Sequence, residues 1–233
     1  MNAENIKSLQ LRIEQKCSDV NRNSSEIKLI AVSKTFGVED IKEVFNEGLR
    51  DFGENKAQEL SSKYELLGDK ITWHFIGHLQ RNKVRSVVPA ADYIHSVDSL
   101  QLASEINKYA ARNNKIQKIL LQVKTSEEET KSGIEKESEL FDLARYCREY
   151  SNVQLEGLMT IAPLTEDEEL IRQSFRQLRK LKDELNLQGF GIKELSMGMT
   201  SDFEIAIEEG ATMLRIGSAI FGERDYSTDW KDS

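Results

Sequence analysis

The chain is poor in the residues that would announce several common chemistries. Only two of its 233 residues are cysteines, Cys17 and Cys147, and there is no CxxC pair or Cys/His cluster. A zinc site therefore has no support. Cys147 falls in line with Leu140, Leu143 and Ala144 at helical spacing and reads as a small core residue. Histidine is nearly as scarce, with three in all. His74 and His78 are four residues apart, but a strand followed by a loop would not set them on one helical face, so no metal pair is expected. His95 reads as a hydrogen-bonded strand residue.

Positive charge is also short. The chain has 32 basic and 40 acidic residues and a net charge of −8, which argues against nucleic acid as its main partner. The one basic run, Arg81-Asn82-Lys83-Val84-Arg85, reads as a solvated loop and helix start, and the acidic run Glu127-Glu128-Glu129 as a solvated loop. No apolar run is long enough to span a membrane, and the polar, helically patterned N-terminus is not a signal peptide. A cytoplasmic protein with no membrane partner is expected. With only two prolines and no Gly/Pro/Ser linker, residues 1–233 read as a single domain. Its core is expected over about 27–224, followed by a polar tail over 225–233.

Strand and helix patterns alternate along the whole chain. Residues 2–20 pattern as an amphipathic helix, with Ile6, Leu9, Leu11 and Ile13 near its apolar side. Strands are predicted over 29–32, 49–53, 71–76, 93–97, 119–123, 155–161, 195–197 and 213–216, from β-branched and aliphatic runs. Helices are predicted between them, one starting near Val38 and ending at Gly48. Asp98 with Gln101, and Thr165 with Glu168, resemble N-terminal capping pairs. Eight strands with helical crossovers point to an α/β fold, a closed (β/α)8 TIM barrel with an extra N-terminal helix, rather than an open sheet.

In such a barrel the strand C-termini share one rim, where α/β folds carry their chemistry. Lys34 lies just past the first strand with no charged neighbour. A desolvated amine there can attack a carbonyl to form a Schiff base; snorkelling into water is the plainer alternative. Ser196-Met197-Gly198-Met199-Thr200 and Gly217-Ser218, after strands seven and eight, resemble a barrel phosphate site, and Arg215 points from strand eight toward the same space. One lysine, one arginine and a phosphate cradle suit a phosphorylated aldehyde such as pyridoxal phosphate.

Several stretches together resemble one family. They are Ala31-Val32-Ser33-Lys34-Thr35, Gly53-Glu54-Asn55-Lys56-Ala57-Gln58-Glu59, His74 to Lys83, Lys131-Ser132-Gly133, Gly157-Leu158-Met159, Leu195-Ser196-Met197-Gly198-Met199 and Arg215 to Gly222. They run in order from residue 31 to 224 and resemble the YggS/PROSC family of pyridoxal phosphate homeostasis proteins, which is similar to the barrel domain of alanine racemase. The resemblance implies that Lys34 holds pyridoxal 5′-phosphate as a Schiff base and that Arg215 faces the pyridine nitrogen. It also implies that Thr200, Gly217 and Ser218 help bind the phosphate, with Ser196 as a further candidate, and that Asn55, His74 and Met159 line the pocket. Lys124 departs from the family's usual asparagine, Glu127 from a common glycine, and Thr200 from a serine.

The expectation is a carrier that buffers and delivers the cofactor without robust turnover, no catalytic residue being assigned. Apo-enzymes that need the cofactor are the expected recipients, and a monomer is expected. An arginine stays protonated, so a pyridine nitrogen beside it stays unprotonated and the ring is a weaker electron sink. No stretch after Gly222 matches the further β-domain through which alanine racemases supply a catalytic tyrosine. A racemase of unknown substrate is the alternative. A Schiff-base aldolase is a third reading, but in aldolases the lysine usually sits on a later strand.

Overall fold

The computed structural model describes residues 2–126 and 132–222. Eight parallel strands close into a barrel in sequence order. They are β1 (Lys28–Val32), β2 (Asp51–Glu54), β3 (Thr72–Phe75), β4 (Tyr93–Val97), β5 (Gln117–Gln122), β6 (Val153–Met159), β7 (Glu194–Ser196) and β8 (Met213–Ile216). Around them run α2 (Val38–Asn46), α3 (Ala57–Leu67), α4 (Val84–Val87), α5 (Leu100–Arg112), α6 (Glu137–Glu149), α7 (Glu168–Leu187), α8 (Phe203–Glu208) and α9 (Ser218–Phe221), preceded by α1 (Asn2–Asp19). The barrel expected from the alternation is the one observed. The tail over 225–233 and the run Glu127-Glu128-Glu129 lie outside the described residues.

Period two along each strand divides the side chains between two interiors. Phe52, Trp73 and Phe75 face outward into the main core between strands and helices and are fully buried or nearly so; each such side chain contributes about 1.5–3 kcal/mol. Ile30, Tyr93, Leu120, Met159 and Met213 form a separate cluster inside the barrel. The inward set also carries an unusual share of polar groups, among them His74, His95, Ser196 and Arg215, all buried. β8 closes the ring against β1, with Ile30 beside Arg215.

Local details differ from the sequence reading where tertiary packing decides. In α1, Ile6, Leu9, Ile13 and Cys17 are buried while Leu11 is 56% exposed, because α8 and α9 cover one stripe of that helix only. Ser99, not Asp98, is the N-cap of α5. Asp167, not Thr165, caps α7, its carboxylate accepting from the Glu169 and Leu170 amides. The Thr165 hydroxyl instead accepts from the Asp167 amide, one step earlier in the same turn. Arg81–Lys83 form a 3-10 turn leading into α4, as the basic run suggested.

Candidate functional site

Lys34 follows β1 by two residues and keeps the inward parity of Lys28, Ile30 and Val32. The peptide that carries it is held on both sides by charges buried behind the barrel wall. Lys63 of α3 donates to the Ser33 carbonyl at 2.9 Å and to the Glu54 carboxylate at 2.7 Å. The Ser33 hydroxyl donates to that same Glu54 oxygen at 2.7 Å. On the other side, the Thr35 amide donates to Glu59 at 2.9 Å, and Thr35 has φ +72°, a left-handed conformation that a non-glycine residue adopts only when its surroundings impose it. Glu59 also lies 3.6 Å from Lys63. Sequence reasoning missed Glu54, Glu59 and Lys63. The available signal was Glu59 and Lys63 at helical i,i+4 spacing in a helix whose apolar face must meet the barrel.

Lys56 also pairs with Glu59, at 3.3 Å from the solvent side, so among the described residues Lys63 is the one cation buried with Glu54. Burial pushes the Glu54 carboxyl up to about 7, against the opposing pull of Lys63 and Ser33. The folded state thus binds this proton more tightly than the unfolded chain does. Stability attributable to Glu54 falls as pH rises from about 4.5 to about 7, by up to about 3 kcal/mol. His74 and His95 act in the opposite sense, since burial lowers both. The difference between native protein and Glu54→Gln therefore isolates the carboxyl. Denaturant unfolding from pH 5 to 8 is expected to show the native protein losing stability relative to the variant as pH rises, and parallel curves would refute the assignment.

Arg215 is 5% exposed. Its guanidinium donates to the Ser196 hydroxyl at 2.6 Å and to the Thr160 carbonyl at 2.8 Å. Burial lowers it to about 10, so it stays a cation at neutral pH. Ser196 also contacts His95 Nδ1 at 2.9 Å, His95 Nε2 contacts His74 Nδ1 at 2.9 Å, and His74 Nε2 contacts Asp51 at 2.8 Å.

The hydroxyls of Ser218 and Thr200 meet at 3.2 Å beside Gly217. The loop that brings Thr200 there turns at Gly198, φ +94°, where a Cβ would stand 2.6 Å from Ala206 Cβ; its carbonyl accepts from the Arg215 amide at 3.0 Å. Across the rim, Asn55, Gly77, Gln122 and Lys124 line a cavity of about 260 Å³. Gly77 fits so closely against Asn55 that a Cβ would overlap its carbonyl. A larger hollow of about 810 Å³, between the loop after β5 and α7, touches neither Lys34 nor Arg215.

Of the residues expected at the site, Ser196, Arg215 and His74 therefore join one buried network, Thr200, Gly217 and Ser218 form one corner of the rim, and Asn55 lines the cavity. His74 and Met159 lie deeper than the cavity wall. His74 has both ring nitrogens engaged, and Met159 packs in the inner apolar cluster. Lys124 pairs with Glu135 at 2.6 Å; Glu127 lies outside the described residues. No group of three or more metal-ligating side chains occurs among the described residues, and none of their helices is long and apolar enough to cross a membrane.

Residues 10–225 match the family model described as alanine racemase, N-terminal domain. A relative from Aquifex aeolicus, named pyridoxal phosphate homeostasis protein, is 47% identical over 229 residues, covering 97% of this chain and all of that one. The structure of PipY from Synechococcus elongatus with PLP bound is 36% identical, covers 95% of this chain and all of that one, and superposes with a TM-score of 0.84. An alanine racemase from Corynebacterium glutamicum shares the fold at 15% identity and a TM-score of 0.73, and this chain covers 62% of its length.

Proposed function

This chain belongs to the alanine racemase N-terminal domain family, and from that premise we propose that it is a pyridoxal 5′-phosphate-binding protein of cofactor homeostasis. It holds the cofactor through Lys34 and gives it up to enzymes that need it. The observation that carries this reading is the donor set of one rim: a lysine two residues past the end of β1, a buried guanidinium on the neighbouring β8, and paired hydroxyls at Thr200 and Ser218. That set fits an aromatic aldehyde bearing a phosphate. When bound, pyridoxal phosphate supplies an aldehyde that condenses with a primary amine.

Each residue then has a task. Lys34 offers the amine, and the Lys63 cluster sets its backbone. Arg215, a donor without acceptor capacity, would face the pyridine nitrogen and favour its unprotonated form. Thr200, Ser218 and the backbone amides of Gly217 and Ser218 hold the phosphate, with Ser196 orienting Arg215. Hydrogen bonds to so charged a group contribute about 1.5–3 kcal/mol each. Residues 1–233 act as one binding domain. A cytoplasmic setting agrees with this role, since Cys17 and Cys147 are both buried and unpaired.

Because Arg215 disfavours ring protonation, the protein is expected to act as a carrier and not to turn over amino acids robustly. Cofactor-loaded protein mixed with an apo-aminotransferase is expected to restore its activity, with Lys34→Ala as control. In parallel, deuterium wash-in at the α-carbon of alanine and other amino acids is measured. Wash-in at enzymatic rates, roughly 1–1,000 per second, would replace the carrier by a racemase.

A further inference from the structure

The contacts from Arg215 to Asp51 form an unbroken series across the inside of the barrel, and its carboxylate end dictates a single direction. Arginine has donors only, so Ser196 Oγ accepts from it at 2.6 Å and keeps one proton and one further lone pair with which to meet His95 Nδ1. Burial lowers both imidazoles and so favours their neutral forms, His95 being further depressed by His74, Arg215 and Lys28. A neutral His95 that accepts at Nδ1 carries its proton on Nε2 and donates to His74 Nδ1. His74 then donates from Nε2 to the Asp51 carboxylate. The carboxylate end selects this order over its reverse. If His74 carried its proton on Nδ1, its bare Nε2 would face a carboxylate oxygen at 2.8 Å, acceptor against acceptor.

The series is also held sideways. Tyr93 stacks on His74 at 4.7 Å and 6°, and the amines of Lys28 and Lys118 lie 4.6 and 4.9 Å from the Tyr93 ring. Asp51 opens β2, and its side chain is 22% exposed at the end of the barrel opposite the rim.

We propose that Asp51, His74 and His95 are positioning residues for Arg215: a one-way hydrogen-bonded column that locks the guanidinium and ties the cofactor end of the barrel to its far end. This rests on the reading of Arg215 as the residue that meets the pyridine ring. Alternate hydrogen-bond orders in such a chain would leave the guanidinium with more than one orientation, whereas a single order leaves one. An Asp51 substitution, remote from the rim, is therefore felt by the cofactor.

The chain's three histidines make the test direct. In ligand-free protein labelled with ¹⁵N-histidine, with the surface residue removed as His78→Gln, both remaining imidazoles are expected to show a proton on Nε2 and a bare Nδ1 at neutral pH, and to titrate below the ordinary histidine range. A proton on Nδ1 of either ring in the native protein overturns the column. Asp51→Leu is expected to mix the tautomers of both rings and to weaken pyridoxal phosphate binding about tenfold, the size of one charge-assisted bond, while borohydride still labels Lys34. Thermal unfolding of the same variant separates a stability loss from these changes. If Asp51→Leu does not fold, Ser196→Ala cuts the column beside Arg215 and reads the same affinity change. Native affinity in the folded variant overturns the positioning role. Failure of the native protein to bind the cofactor overturns the functional reading instead, while the ligand-free spectra still decide the column's direction.

Discussion

Lys34→Ala protein is expected to stay colourless when incubated with pyridoxal phosphate, whereas the native protein turns yellow. The amine is the one group of the rim's donor set that can form a covalent bond to an aldehyde; Arg215, Thr200 and Ser218 contribute hydrogen bonds alone. Removing it should leave the phosphate corner and Arg215 in place but weaken binding by 100-fold or more, about 2.7 kcal/mol. The backbone at residue 34 is held through Ser33 and Thr35, contacts that the substitution leaves in place, so the variant should fold. Borohydride reduction of loaded native protein, digestion and mass spectrometry should place the label on Lys34. A label on Lys56, Lys63, Lys83 or Lys124 would sink the assignment.

The second large effect is expected at Lys63, a residue with a fully buried side chain. Lys63→Met keeps the aliphatic length and removes the charge that offsets Glu54 and Glu59. Breaking a buried pair by deleting one partner typically costs about 3–5 kcal/mol. Here protonation of Glu54, already raised to about 7, relieves part of that cost in acid, so the low end of the range applies at pH 8 and less at pH 5.5. For a chain of this size about 3 kcal/mol corresponds to a fall in Tm of about 6–12 °C. The double variant Lys63→Met/Glu54→Gln should recover part of the loss, because it removes the charge left behind. Calorimetry at the two pH values checks all three statements. A Lys63→Met protein that melts with the native one at pH 8 would show that the cluster contributes nothing. Slower labelling of Lys34 in this variant would further tie the cluster to the site.

How much of this was legible beforehand depends on the range of the interaction. Hydrophobic period is local, so the eight buried strands and the amphipathic helices between them could be read from the chain, and their alternation admits few topologies. The position of Lys34 just past an apolar run, and of Gly217-Ser218 past another, is equally local. A cap is nearly so, yet Ser99 and Asp167 displaced the expected Asp98 and Thr165, because the choice among adjacent polar residues depends on where packing starts the helix. Leu11 was misjudged for a similar reason: a helix's period defines a stripe, but the neighbour decides how wide a stripe is covered.

The partners of the polar groups were not legible at all. His95 and Ser196 are 101 residues apart, Arg215 and Thr160 are 55 apart, and Lys63 and Ser33 are 30 apart. Nothing in the spacing of these residues along the chain relates them, because they meet only when β8 closes against β1 and every strand takes its register. The amino-acid sequence by itself therefore determined the barrel, the amine at its rim and the family. Tertiary structure alone decided that a lysine and two glutamates are buried behind that amine, and that two histidines link the rim's arginine to an aspartate at the other end. The physical reason is that burying an apolar side chain needs only a face, whereas burying a polar one needs a specific partner, and barrel closure is what supplies it.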